Sequence, residues 1–218
     1  MYHYLDDKEF IHKIRALSGE IMQQLCHYLK EDYDIGANFY LVGSGAKNLI
    51  MQNENNPVDL DYNLEIVRCE DFEDGRYLKE CARKTFNKCL QEYDLPDCED
   101  STSSLTSKKI HFKTGNRTEF SIDICITRRD TKDNYFRLIH EKTGWSRDDR
   151  YFWNKAPKSN RLKEKVSYIK EYGRWELVRM QYRKIKNNYL IQNDLKHHPS
   201  FVCYVEAINN VYNARNYW

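Results

Sequence analysis

The sequence predicts an α+β fold (mixed α/β), a mixed β-sheet flanked by helices and followed by a helical C-terminal segment. Three patterns predict it. Apolar residues recur at three- and four-residue intervals from Phe10 to Leu29, the repeat of an amphipathic helix. Two later stretches, Val58 to Ile66 and Phe120 to Ile126, alternate apolar and polar residues with the period of a half-buried strand. Beyond Pro157 only helical spacing remains.

The first helix runs from about Asp7 to Tyr33, with Phe10, Ile14, Leu17, Ile21, Leu25 and Leu29 on its inward stripe. Phe39 to Val42 is a short apolar run of the buried-strand type, and Gly43-Ser44-Gly45 breaks it. Two glycines there allow backbone angles that other residues adopt only at a cost. Ala46 to Met51 reads as the start of a helix, which puts the turn at a helix N-terminus, where free N–H groups and the helix dipole favour a phosphate. In the strand that follows, Val58, Leu60, Tyr62, Leu64 and Ile66 share one face, and Asp59 and Asp61 project from the other. Two like charges so close repel unless a cation sits between them.

Cys69 to Gly75 reads as an acidic loop and Arg76 to Tyr93 as a helix, with Leu78, Ala82, Phe86, Cys89 and Leu90 inward. Pro96 marks a turn, Ser101 to Thr106 and Lys108 to Lys113 read as short strands, and Thr114-Gly115-Asn116-Arg117 as a hairpin turn. Phe120, Ile122, Ile124 and Ile126 then form an apolar face, and Asp123 projects from the opposite one. If this strand lies beside the first, three carboxylates converge next to the glycine turn, an arrangement suited to magnesium and a triphosphate. A further strand is expected over Tyr135 to His140. The loop Gly144 to Trp153 interleaves aromatic and arginine residues, which either stack a base and hold phosphates or pack against a neighbouring domain.

The C-terminal helices begin with Leu162, Val166 and Ile169, capped by Ser159 or Asn160 and interrupted at Gly173. A second carries Trp175, Leu177, Met180 and Ile185, and Pro199 opens a last one with Phe201, Val205, Ile208 and Val211 inward.

Composition bounds the function. The 218 residues hold 40% hydrophobic and 14% aromatic residues, enough for a packed core, and no apolar run is long enough to span a membrane. The polar N-terminus does not read as a secretory signal, and seven cysteines without a C-x-x-C spacing argue against a zinc site or a disulfide framework. A cytoplasmic protein is expected. Charge is uneven. Residues 150–196 carry thirteen Lys/Arg against four Asp/Glu, whereas residues 1–149 carry 21 against 28, a distribution suited to a polyanionic partner or to solvated helix faces. His111, His140, His197 and His198 lack metal-ligand spacing, and Glu65 lies too far along its strand to join the aspartates.

At Gly43-Ser44, Asp59-Leu60-Asp61 and Asp123 the sequence resembles the nucleotidyltransferase superfamily of DNA polymerase beta-like fold, in particular its minimal, antibiotic-type members. The resemblance covers about the first two-thirds of the chain. It departs from the family in a longer gap between Ser44 and Asp59, which implies an extended loop over Asn53 to Pro57. The resemblance implies a catalytic domain over residues 1–150 and leaves 151–218 as a basic helical region. It implies a metal-dependent enzyme that transfers an NMP from an NTP to an acceptor hydroxyl and releases pyrophosphate. Asp59 and Asp61 would hold two Mg2+ ions (or Mn2+), and Asp123 would complete the second metal site and help deprotonate the acceptor. Ser44 and the Gly43 and Gly45 amides would hold the β- and γ-phosphates, and Lys47 would add charge to them. The acceptor is left open among a small molecule, a protein and an RNA. The alternative is a non-catalytic nucleotide- or RNA-binding module on the same fold, for which three retained acids would have no use.

Overall fold

A computed structural model describes residues 1–156, 161–195 and 197–217. In chain order the elements are β1 (Tyr2–Tyr4), α1 (Lys8–Tyr33), β2 (Gly36–Leu41), α2 (Gly43–Lys47), β3 (Met51–Asn53), β4 (Val58–Arg68), α3 (Gly75–Gln91), β5 (Glu99–Asp100) and β6 (Leu105–Thr106). They continue as β7 (Phe120–Arg129), β8 (Tyr135–Glu141), β9 (Arg150–Lys155), α4 (Leu162–Glu171), α5 (Trp175–Ile191) and α6 (Ser200–Asn213), with a 3-10 turn at Arg215–Tyr217. The chain divides into two compact units.

The larger unit, Asp7–Ala46 and Pro57–Ala156, is built on a mixed sheet of order β2-β4-β7-β6-β5, with β8 also on β7 and β9 on β8. β4 runs antiparallel to β2 and parallel to β7, so the longest strand is central and loses both its edges to partners. Its apolar face is closed off: Leu60, Leu64, Ile122 and Ile124 have no solvent exposure, and each such side chain contributes about 1.5–3 kcal/mol of burial. α1 starts where Asp7 accepts a hydrogen bond from the Phe10 amide (2.9 Å), and it stops at Asp34, which takes up a left-handed conformation. Phe10, Ile14, Ile21, Leu25 and Leu29 form its buried stripe, as the periodicity predicts, Leu17 is only half-buried, and α1 packs on α3.

The smaller unit consists of Met1–Asp6, Lys47–Asn56 and the chain from Pro157 onward. β1 pairs antiparallel with β3, and Leu49, Ile169, Val178, Ile185, Ala207, Ile208 and Val211 share one apolar cluster. Gly173 ends α4: at φ +65° it lets its own amide reach Lys170 O and the next amide reach Ile169 O, a Schellman closure. The Ser159 or Asn160 cap lies outside the described residues.

Several elements differ from the sequence expectation. The short helix spans Gly43–Lys47 rather than Ala46–Met51, because Asn48 turns to φ +55° and the apolar Leu49 is drawn into the smaller unit's core. The long gap between Ser44 and Asp59 holds β3, and the expected loop follows it as an irregular turn over residues 54–57. Lys108–Lys113 contributes only the isolated Ile110–Phe120 bridge, and its place beside β7 is taken by β6 with β5 behind it. Residues 150–155, expected as loop, form β9 along the whole of β8. The units also depart from a division at residue 150, since the N-terminal strand and residues 47–56 group with the C-terminal helices. Among the described residues no helix is long and apolar enough to cross a membrane, and all seven cysteines are free thiols.

Candidate active site

The parallel pairing of β4 with β7 sets Asp61 opposite Asp123 and Asp59 opposite Ser121. Alternation along both strands then puts all four side chains on one face, with Leu60 and Ile122 on the other. Ser121 donates a 2.6 Å hydrogen bond to Asp59 Oδ1, which orients that carboxylate. Sequence reasoning missed Ser121, although its position two residues before Asp123 carries the signal.

Asp123 is the electrostatically unusual member. Burial first, and then the charge of Asp59, push its carboxyl above the ordinary aspartate range, while the Thr106 hydroxyl pulls the other way. Its Oδ1 is buried and lacks a hydrogen-bond partner, a costly state for a carboxylate oxygen that a proton or a cation relieves. The donor set of hard oxygens fits magnesium or manganese. Among the described residues no three His, Cys, Asp or Glu side chains already surround a common point. The aspartates therefore meet as neighbours on a sheet face, and side-chain rotation would have to close them on an ion.

A carboxyl raised on folding favours its protonated form. Its stabilising share is fully present below the ordinary value of 3.8 and is lost as pH rises through the higher folded value. In metal-free protein, Asp123→Asn is therefore expected to be more stable than the parent at neutral pH, with the gain disappearing in acid. Thermal melts across that range check this, and a gain that persists in acid contradicts it.

The glycine turn touches the acid strand directly. Gly43 sits at φ +60°, and a Cβ there would stand 2.1 Å from Asp61 Oδ2 and 3.0 Å from its Cγ. The Val42 amide donates to Asp61 O at 2.8 Å, so the backbone is tied at the same place. Gly43→Ala adds a left-handed strain of about 1–2 kcal/mol and displaces the Asp61 carboxylate. The expected outcome is a modest loss in urea stability and, if the face holds magnesium and a triphosphate as the sequence resemblance implies, a much larger loss of Mg–NTP binding. Unchanged binding would count against the contact. Gly45 is buried, and a Cβ there would meet Leu41 and Leu60 at 3.1 Å. Ser44 is partly exposed between them.

Lys47 belongs to the smaller unit. Its ammonium stands 5.1 Å from the Tyr204 ring centroid, and its carbonyl accepts from Trp175 Nε1 (3.3 Å). Glu65, on the Asp61 face, is held by Arg129 at 3.2 Å. His140 lies between Asp100 Oδ2 (2.8 Å) and Asp149 Oδ2 (2.9 Å) and stacks on Tyr151 (4.2 Å). Tyr151 and Trp153 are thus engaged within the unit, the latter also against Arg128 (4.7 Å).

No family model matches the chain, and no curated protein matches it in sequence. Solved structures do. CdnC of E. coli MS115-1, determined with ATP, is 18% identical over 93% of this chain and 61% of its own, with a TM-score of 0.52. CdnC in its complex with HORMA-deltaN gives 16%, 93%, 60% and 0.52. CdnE of Elizabethkingia meningoseptica, a cyclic dinucleotide synthase determined with GTP and Apcpp, gives 13%, 88%, 68% and 0.49. The chain thus spans about three-fifths of the length of CdnC. The chain shares the fold of CdnC, a mixed sheet flanked by helices, in agreement with the α+β architecture that the sequence predicts.

Proposed function

We propose that the chain is a metal-dependent nucleotidyltransferase that moves an NMP from an NTP onto an acceptor hydroxyl. The observation that carries this reading is the register of Asp61 opposite Asp123 with Gly43 packed on the Asp61 carboxylate. It brings the orphaned buried oxygen of Asp123, the other two acids and a tight backbone turn together. The fold shared with CdnC, which was determined with ATP, is consistent with an NTP substrate.

Asp59, Asp61 and Asp123 would hold two magnesium ions, which stabilise the entering and leaving oxygens of an in-line displacement. Gly43, Ser44 and Gly45 present backbone N–H groups and one hydroxyl to the β- and γ-phosphates. Asp123, whose carboxyl is raised by burial, takes the acceptor's proton as its oxygen bonds to the α-phosphorus. The α–β anhydride bond breaks and pyrophosphate leaves.

The test is incubation with magnesium and each α-labelled NTP, with and without cell extract. Label incorporated without extract identifies the nucleotide or the protein itself as acceptor, distinguished by size, and label that requires extract reveals another acceptor in the same way. Mg–NTP binding without transfer under any condition would favour the non-catalytic module instead. Absence of both binding and transfer would remove the reading.

A further inference from the structure

Resting on that reading, we infer that Arg15 is a positioning residue that fixes the Gly43–Gly45 turn against the Asp61 carboxylate. The Arg15 guanidinium, on α1, donates a hydrogen bond to the Gly45 carbonyl. α2 has only five residues, so its carbonyls run out of intrahelical donors almost at once, and a side-chain cation at its C-terminal end satisfies one of them and complements the dipole. One turn further along α1, Ser18 gives its own proton to Ile14 O (2.7 Å) and therefore accepts from the Tyr62 hydroxyl (2.7 Å). Tyr62 is the residue after Asp61. One face of α1 thus grips both halves of the site, the turn through Arg15 and the acid strand through Ser18.

The spacing matters because the two halves touch. With a Gly43 Cβ position only 2.1 Å from Asp61 Oδ2, any drift of the turn changes the room available to that carboxylate. The link is mechanical and carries a signature. Val42 donates its amide to Asp61 O (2.8 Å) and accepts from the Ala46 amide (3.3 Å), so these two N–H groups report whether the turn is held.

The experiment compares Arg15→Met and Arg15→Lys with Arg83→Met, a control that removes an arginine pairing with Glu80 on α3 of the same unit. Amide exchange at Val42 and Ala46 is read without nucleotide, and Mg–NTP affinity is read by calorimetry. R15M is expected to speed both amides and to weaken Mg–NTP binding by about tenfold each, the scale of one charge-assisted hydrogen bond. Its Tm should stay close to that of R83M, and R15K should recover most of both losses. Unchanged exchange in R15M overturns the inference. So does faster exchange with parental affinity, or an affinity loss that R83M reproduces. Affinity is read with whichever of the four Mg–NTPs the wild type binds, and faster exchange in a protein whose wild type binds none of them keeps Arg15 as the support of the turn and removes the nucleotidyltransferase reading.

Discussion

Asp61→Asn is expected to fold like the parent and to lose label transfer by about a thousandfold or more, the scale seen when preorganised charge at a reacting centre is removed. Asparagine keeps the shape of the side chain, so the contact with Gly43 survives. What disappears is one negative charge directly across from Asp123. Metal-free stability should hold, because the replacement is isosteric and sits in the same place on the sheet face. Asp59→Asn should behave alike, with the Ser121 hydrogen bond weakened as well. Transfer assays and thermal melts on the same preparations separate the two readouts. Activity within tenfold of the parent in Asp61→Asn would end the proposed mechanism.

Asp100→Ala is expected to destabilise the protein by about 3–5 kcal/mol, the cost of leaving a buried charge without its partner. Lys79 is only 2% exposed, and its ammonium reaches Asp100 Oδ1 at 2.7 Å and Ser101 O at 2.6 Å. Burial lowers its proton affinity and Asp100 restores part of it, so removing Asp100 leaves the desolvation uncompensated. The other Asp100 oxygen faces His140, so a second group loses a partner at the same time. Lys79→Met removes the buried charge itself and should cost clearly less, since a well-packed apolar isostere often replaces a buried ion without loss. Urea melts of both variants make the comparison. Equal losses, or an Asp100→Ala loss near zero, would mean that the pair is solvated and not structural.

The local patterns are legible in the order of the residues alone. The inward stripe of α1, the strand phases of β4 and β7, the glycine turn and the helical C-terminal segment follow from periods of 3.6 and 2 and from backbone preferences. These are near-neighbour effects, and they place Asp59, Asp61 and Asp123 on polar faces without reference to anything distant. The sequence by itself therefore determined the α+β class and which acids could share a face.

What the tertiary structure decided is everything that depends on pairing across long separations. The register that sets Asp61 against Asp123 joins strands 62 residues apart, as the Ser121–Asp59 bond shows, and no local period encodes it. The same holds for β9, whose aromatic and arginine residues satisfy a loop reading until β8 supplies the missing ladder. Residues 47–56 group with the C-terminal helices because Leu49 finds its apolar neighbours there. Lys79 and His140 are buried polar side chains that no local period places in the core. Burial becomes tolerable for such groups only once a partner stands within hydrogen-bonding distance, and only the fold brings the partner there.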